Sequence, residues 1–457
     1  MRIDQLFFKS FVYLPVTYLR GQNVIGNLTK LRSSEKLSSA ELRVMQEQLL
    51  SRLVEEVREA VPAYKVRLEG LAPGAATLDA LRSVPTLDKQ TLRESYPDFL
   101  HIKPQPMWVE KTTGGSTGEP VTIRKSRQAM AWELAATWRG YEWAGVKMGD
   151  LQARFWGVPI SRMGRFRAGL IDFVCHRSRF SAFGFDRGSF LRYDALLRSR
   201  QPDYFYGYVS MLAELARWYL ETRRQLEVPP KAVITTSEVL SPDDRVAIES
   251  AFQCRVYNEY GCGELGTIAH ECEHGRLHTS DENMFVEILE GDRPCALGEK
   301  GEIVVTDLRN TALPLIRYRT GDFGALSDAL CPCGRGLGVL ETVYGRAYDF
   351  IETPDGRRFH AEFLIYIFEE AKRQDMGIAQ FRVVQEAVDR LQVFVVPSIS
   401  GFGASQEERL LRRMRQLLGD DLKLGVQRVS KLERESSGKM RVIVGLESGG
   451  SGTTISD

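Results

Sequence analysis

The chain has 457 residues, 43% apolar and 26% charged, enough to build more than one core. Lys and Arg number 61 against 60 Asp and Glu, a net charge of +1; nucleic acid is therefore not the expected partner, because tracking phosphates takes a basic excess. Seven scattered Cys do not make a disulfide framework and point to a reducing, cytoplasmic compartment.

The first apolar stretch, LFFKSFVYLPVTYL, is interrupted by Lys9 and Pro15, is too short to span a bilayer and has no small-residue cleavage site after it. It predicts a helix or extended arm packed on the body. The alternative is a weak membrane contact, with Arg2, Lys9 and Arg20 around the apolar face. Apolar residues at three-and-four spacing predict a helix over residues 38–68, with Ser39 before Glu41 as its start signal. Further helices are predicted over 126–143 and 194–226. The period then changes. KAVITTSEVL reads as a strand and a loop, and MFVEILE and GEIVVTDL, joined by GDRPCALGEKG, read as a β-hairpin.

A boundary falls at YGRAYDFI, residues 344–351. Beyond it, FRVVQEAVDRLQVFVV reads as two strands about a turn, SQEERLLRRMRQLLGDDL as a helix, QRVSKL as a strand and ERESSGKMR as a polar loop. The expected organisation is an α/β domain with a β subdomain over residues 1–345 and a small α+β domain over 346–445. A disordered Gly/Ser-rich tail is expected over 446–457.

Four stretches carry chemistry. TTGGSTGEP combines glycines, which let backbone N–H groups approach an anion, with the hydroxyls of Thr112, Thr113, Ser116 and Thr117. A strand before it and a helix after it would aim a helix N-terminus at a phosphate. It lacks the Gly-Lys-Ser/Thr ending of a nucleoside-triphosphatase phosphate loop. In YNEYGCGELG, Tyr260 can stack on a flat base and Glu264 can hold Mg²⁺. In RYRTGDFG, the Asp322 carboxylate can accept ribose hydroxyls. In ESSGKMR, Lys439 follows Gly438 in a polar loop. Taken singly, each reads more readily as a turn than as a site.

In this order, however, TTGGSTGEP, NEYGCGELG, PLIRYRTGD, YGRAYD and SSGKMR resemble the motifs of the adenylate-forming superfamily of acyl-CoA synthetases. The nearest resemblance is to the phenylacetate–coenzyme A ligase branch, with its capsular polysaccharide biosynthesis (CapK-like) relatives. It spans residues 111–441. It implies a large ATP- and acyl-binding domain and a small mobile domain. Thr113, Gly114, Gly115, Ser116, Thr117 and Gly118 would wrap the ATP β/γ-phosphates. The backbone at Ser237 and Glu238 would lie along the adenine, with Tyr260 stacked on it. Asp322 would hold the ribose beside Arg346, Glu264 would hold Mg²⁺, Asp349 would sit at the hinge, and Lys439 would be the mobile catalytic Lys. Gly263 departs from the family pattern, which has Ser or Thr there.

Cys272, His278, Cys331 and Cys333 form a possible zinc set, with His270 and His274 as rival ligands. The Cys-Pro-Cys spacing is tighter than a usual zinc knuckle; the resemblance, in which some members bind structural zinc this way, favours the metal. The aromatic segments FWGVPI and DYFYGYVS, between the phosphate-loop and Tyr260 motifs, nominate Trp156, Tyr206 and Tyr208 for the acyl pocket. The expected activity is ATP-dependent formation of an acyl-adenylate from a small carboxylic acid, then transfer to coenzyme A. Transfer to an amine or hydroxyl is one alternative. A nucleotide-binding homologue without turnover, motivated by Gly263, is the other.

Overall fold

The computed structural model describes residues 3–446 apart from 72–73, 75, 104–107, 113–120, 157–161, 182–186, 241, 346–349, 361–363, 365–366, 369, 373, 375, 399, 431 and 433–442. The chain opens with a helical stretch, Ile3–Phe7, Phe8–Tyr13 and Leu14–Leu19, whose middle third is π-helical. Ser38, one residue before the expected start signal, caps the next long helix, Ser39–Ala60. Its Oγ accepts from the Glu41 N–H at 3.3 Å, and the Glu41 carboxylate accepts from the Ser38 N–H at 2.8 Å. The helix does not run on to residue 68, because Val61 is extended ahead of Pro62, which starts a new short helix, Pro62–Arg67.

A twelve-stranded sheet forms the body. Its first five strands are parallel: Arg177–Ser181, Gln152–Trp156, Tyr204–Tyr208, Val233–Thr236 and Val256–Cys262. The other seven are antiparallel: Gly266–Glu271, Leu277–Thr279, Val339–Gly345, Tyr318–Ser327, Gly301–Asp307, Met284–Glu290 and Arg293–Pro294. The predicted hairpin of Met284–Glu290 with Gly301–Asp307 is among them. The helix predicted over 194–226 is instead Arg187–Arg200, a strand at Tyr204–Tyr208 and a helix at Val209–Glu221. YFYGY is buried at every position, and such a run lacks the alternation that betrays a half-buried strand.

The C-terminal sheet has the order Lys423–Arg428, Arg390–Pro397, Ile378–Ala387 and Ile443–Val444. The helix Ala404–Leu418 buries Leu410, Met414, Leu417 and Leu418, one stripe of its surface. The apolar core of this sheet is continuous with that of the parallel strands, and helix Val209–Glu221 meets the strand Arg358–His360.

Candidate active site

Strand Val256–Cys262 is the junction of the sheet, parallel to one neighbour and antiparallel to the other. Its C-terminal end and the turn after it carry Tyr260 and Glu264. Tyr260 donates its hydroxyl to Asp322 Oδ2 at 3.0 Å, so the residues assigned to base and ribose lie side by side. Both are buried. Burial, then the Asp322 charge, pushes the Tyr260 phenol well above its usual range, so it remains a donor. The Asp322 N–H is fixed by Thr320 Oγ1 at 3.1 Å, and Thr320 in turn donates to the Ile303 carbonyl at 2.9 Å.

Glu264 is buried and pairs with Lys89 Nζ at 3.1 Å. Sequence reasoning missed Lys89. The signal lay in the backbone: the Leu87 N–H bonds to the Arg317 carbonyl and the Arg319 N–H to the Leu87 carbonyl, which ties the segment before Lys89 to the Asp322 strand. The two arginines of PLIRYRTGD serve this seam. Arg317, at φ 51°, forks onto Glu287 at 3.0 and 3.1 Å and donates to the Arg82 and Val84 carbonyls. Arg319 pairs with Glu302 and Asp292. Gly263 lies at the exposed turn before Glu264.

Thr113, Gly114, Gly115, Ser116, Thr117 and Gly118 lie outside the described residues, as do Arg346, Asp349 and Lys439. The flanks of the Gly-rich segment are described. Val109–Thr112 and Thr122–Lys125 pair antiparallel, with Thr112 opposite Thr122. The segment therefore joins two strands of a hairpin, not a strand and a helix; helix Arg127–Trp143 begins only afterwards, capped by Ser126. Below the hairpin, Glu133 accepts from Lys125 at 2.7 Å and from Lys111 at 2.9 Å. Lys125, fully buried, also donates to the Leu265 carbonyl at 2.6 Å, next to Glu264. Burial alone would raise the Glu133 carboxyl, but the two lysines pull it down to about 2. Gly266, at φ +84°, leaves room for this ion pair: a Cβ there would stand 2.4 Å from Glu133 Cδ.

Ser237 follows strand Val233–Thr236 in the left-handed region, at φ 69°, an uncommon conformation for a residue with a Cβ. The Glu238 carboxylate accepts from Ser210 N–H at 2.6 Å and Ser210 Oγ at 3.0 Å, at the start of helix Val209–Glu221. The Glu238 side chain is thus turned toward that helix. Trp156 and Tyr208 stack at 4.2 Å, Tyr206 lies 5.9 Å from Trp156, and the Arg154 guanidinium lies over Trp156 and Tyr206. The Tyr206 hydroxyl donates to Glu259 at 2.9 Å. Burial pushes Glu259 up to about 7 and His270, 3.6 Å away, down to about 3; His270 is therefore neutral and the two do not form a salt bridge.

Cys272, His278, Cys331 and Cys333 converge with all ligand atoms within 4.8 Å of one another. The Cys272 and Cys331 sulfurs are 3.6 Å apart, and Cys333 Sγ lies 3.3 Å from His278 Nε2. Four such ligands around zinc, at about 2.3 Å for sulfur and 2.0 Å for nitrogen, would stand roughly 3.5–3.8 Å apart, so the set fits that ion. His278 Nδ1 lies 3.2 Å from the Leu337 carbonyl, which directs Nε2 into the cluster. The rivals are not in the cluster: His270 packs against Gly140, and at His274 the backbone N–H approaches Cys272.

Residues 351–445 match the family model of the CapK C-terminal domain. The chain is 26% identical over 333 residues to the phenylacetate-coenzyme A ligase of Thermus thermophilus, covering 69% of this chain and 73% of that one. It is 23% identical to Protein CapK of Staphylococcus aureus, over 83% of each chain. Among solved structures, 2-hydroxyisobutyryl-CoA ligase with R3-HIB-AMP, in the postadenylation state, superposes with a TM-score of 0.59 at 22% identity, over 90% of this chain and 91% of that one. The same ligase with 2-HIB-AMP and CoA, in the thioesterification state, also gives 0.59.

Proposed function

We propose that this chain, a member of the adenylate-forming superfamily related to phenylacetate–coenzyme A ligases and CapK, activates a small carboxylic acid with ATP and passes the acyl group to coenzyme A. A carboxylate oxygen attacks the α-phosphorus, and the bond to pyrophosphate breaks. The thiol sulfur then attacks the acyl carbon, and AMP leaves with the bonding electrons. The observation that carries this reading is the buried Tyr260–Asp322 pair beside Glu264, at the junction of the sheet. A base laid along the Ser237 turn and stacked on Tyr260 brings its ribose to Asp322, with Arg346 as the further ribose contact. Thr113 to Gly118 hold the β/γ-phosphates across the hairpin, and the Lys111–Glu133–Lys125 network anchors the base of that hairpin to the Glu264 turn.

Glu264 suits Mg²⁺, which takes one or two carboxylates together with substrate phosphates; when bound, the ion offsets phosphate charge. Lys89 occupies the carboxylate otherwise and holds it in place. Lys439, on a small domain over residues 346–445 that turns about Asp349, supplies the second positive charge at the α-phosphate. Removing one such preorganised group costs about 10²–10³ in rate. Trp156, Tyr206 and Tyr208 bound the acyl pocket. Zinc on Cys272, His278, Cys331 and Cys333 ties the strand after the Glu264 turn to the loop after the Asp322 strand and serves stability.

Hydroxylamine trapping over a panel of carboxylates, with and without CoA, tests the reading. One acid is expected to give hydroxamate and pyrophosphate, both lost in Lys439→Ala, with thioester appearing only when CoA is added. Adenylation without thioester, but with product on an added amine or alcohol, would replace the acceptor. No pyrophosphate with any acid would refute the activity.

A further inference from the structure

The helical stretch Ile3–Leu19 is inverted with respect to water. Its inward side carries polar groups: Gln5 donates to Asp203 at 3.0 Å, Tyr13 accepts from the Trp138 indole at 2.8 Å, and Thr17 is buried with them. Its outward side is apolar. Ile3 is 89% exposed, Phe11 71%, Tyr18 79% and Leu19 77%, and the ring of Phe7, half exposed, stacks on Phe11 at 5.8 Å. A helix on the surface of a soluble protein shows the opposite arrangement. Here the inward hydrogen bonds determine which side faces out, because turning the helix would strand Gln5 and Tyr13 without their partners.

A second helix, Arg162–Val174, extends the same surface. Phe8 meets Phe173 edge-on at 5.5 Å and stacks on His176 at 3.8 Å, which joins the two helices. Phe166, Leu170 and Phe173, at helical spacing, are each more than half exposed. Single exposed apolar residues are ordinary; a continuous patch of aromatic and aliphatic side chains across two elements is not.

The charge carried by the two segments is predominantly positive. Residues 3–20 and 162–176 contain five Lys or Arg, namely Lys9, Arg20, Arg162, Arg165 and Arg167, against two Asp. One of those, Asp172, is taken up by Arg179, with both its oxygens bonded at 2.8 Å. Arg20 and Arg167 are exposed. No helix among the described residues is long and apolar enough to cross a membrane.

We propose that the joint face of Ile3–Leu19 and Arg162–Val174 docks on an anionic lipid bilayer, with the helices lying in the interface and Phe7, Phe11, Phe166 and Leu170 entering the acyl boundary. Aromatic and aliphatic side chains framed by Lys and Arg are what such an interface takes. A second copy of the chain fits worse, because a two-fold pairing would press two net-positive patches together, whereas an anionic bilayer neutralises them. The docking does not depend on which acid the enzyme activates.

Flotation of the full chain on vesicles tests it. On phosphatidylcholine and phosphatidylglycerol in equal parts, the bound fraction is expected to exceed that on pure phosphatidylcholine by about tenfold, and to fall with added salt. Phe7→Ser/Phe11→Ser should reduce binding by about tenfold or more. Arg20→Gln/Arg167→Gln should bring the mixed vesicles close to the neutral ones. All these positions are exposed, so the variants should melt with the parent protein, which is checked alongside. Three results would each overturn the proposal: no flotation on either vesicle, undiminished binding of the Phe7→Ser/Phe11→Ser protein, or a dimer in gel filtration that this variant converts to monomer.

Discussion

Two clusters of buried side chains lie along the sheet and differ in how their charge is handled. Around Glu264 the groups are hard. Glu264 has Lys89, Glu133 has Lys111 and Lys125, and Asp322 has the Tyr260 hydroxyl. Around Cys272 they are soft: three thiols and an imidazole, packed to distances that suit one ion at their centre. The first arrangement keeps its shape through ion pairs and hydrogen bonds between its own side chains. The second brings together sulfurs that gain their full attraction only as thiolates on a metal. Turnover is therefore expected to depend on the first cluster and folding stability on the second.

The sharpest way to break that comparison is Glu264→Gln. It should cut acid-dependent ATP–pyrophosphate exchange per folded molecule by about 10²–10³-fold, beyond whatever the loss of its Lys89 pairing costs in melting temperature; a large loss of stability without a loss of rate per folded molecule would reverse the roles. Glu133→Gln probes the support under the hairpin. It leaves the buried Lys125 short of its principal counter-charge and should destabilise the protein by about 3 kcal/mol in denaturant unfolding. Cys272→Ser, or a strong chelator, should release zinc and lower the melting temperature by roughly 5–10 °C, while exchange activity at low temperature changes by less than about twofold. Metal analysis of the parent protein giving less than about half an equivalent of zinc would remove the second cluster from the comparison.

The smallest effect concerns Glu259, which belongs to neither cluster. Its folded-state value, about 7, lies above the ordinary 4.5, so the folded protein holds a proton there that the unfolded chain has lost. The resulting stability is full below pH 4.5 and is lost as pH rises through about 7. Glu259→Gln should flatten the stability–pH curve in that window, measured by chemical denaturation at a series of pH values.

Several residues of the candidate site were legible in local sequence. Tyr260, Glu264 and Asp322 occur in short motifs because each is presented at a strand or the turn beside it, together with glycines close in sequence. The Cys and His residues were legible as a set because few residue types bind zinc. Lys89, Lys125 and Glu133 were not legible. A Lys in a polar stretch looks solvated until a strand seam or a hairpin carries it inside, and nothing near it in the chain records the partner. The strand Tyr204–Tyr208 was concealed for a related reason: burial on both faces removes the alternation that distinguishes strand from helix.

By itself, then, the amino-acid sequence determined the capped helix that begins at Ser39, the Met284–Asp307 hairpin, the family resemblance and the candidate residue types for nucleotide and metal, because these follow from local backbone chemistry and side-chain identity. Only the tertiary structure decided which charges meet and which surfaces stay bare. It put Lys89 against Glu264, made the flanks of the Gly-rich segment a hairpin, and separated His270 from the thiol cluster. It also turned Gln5 and Tyr13 inward, so that Phe7 and Phe11 face out. Those outcomes depend on contacts between residues up to about two hundred positions apart, as with Gln5 and Asp203, and such contacts exist only once the chain has closed on itself.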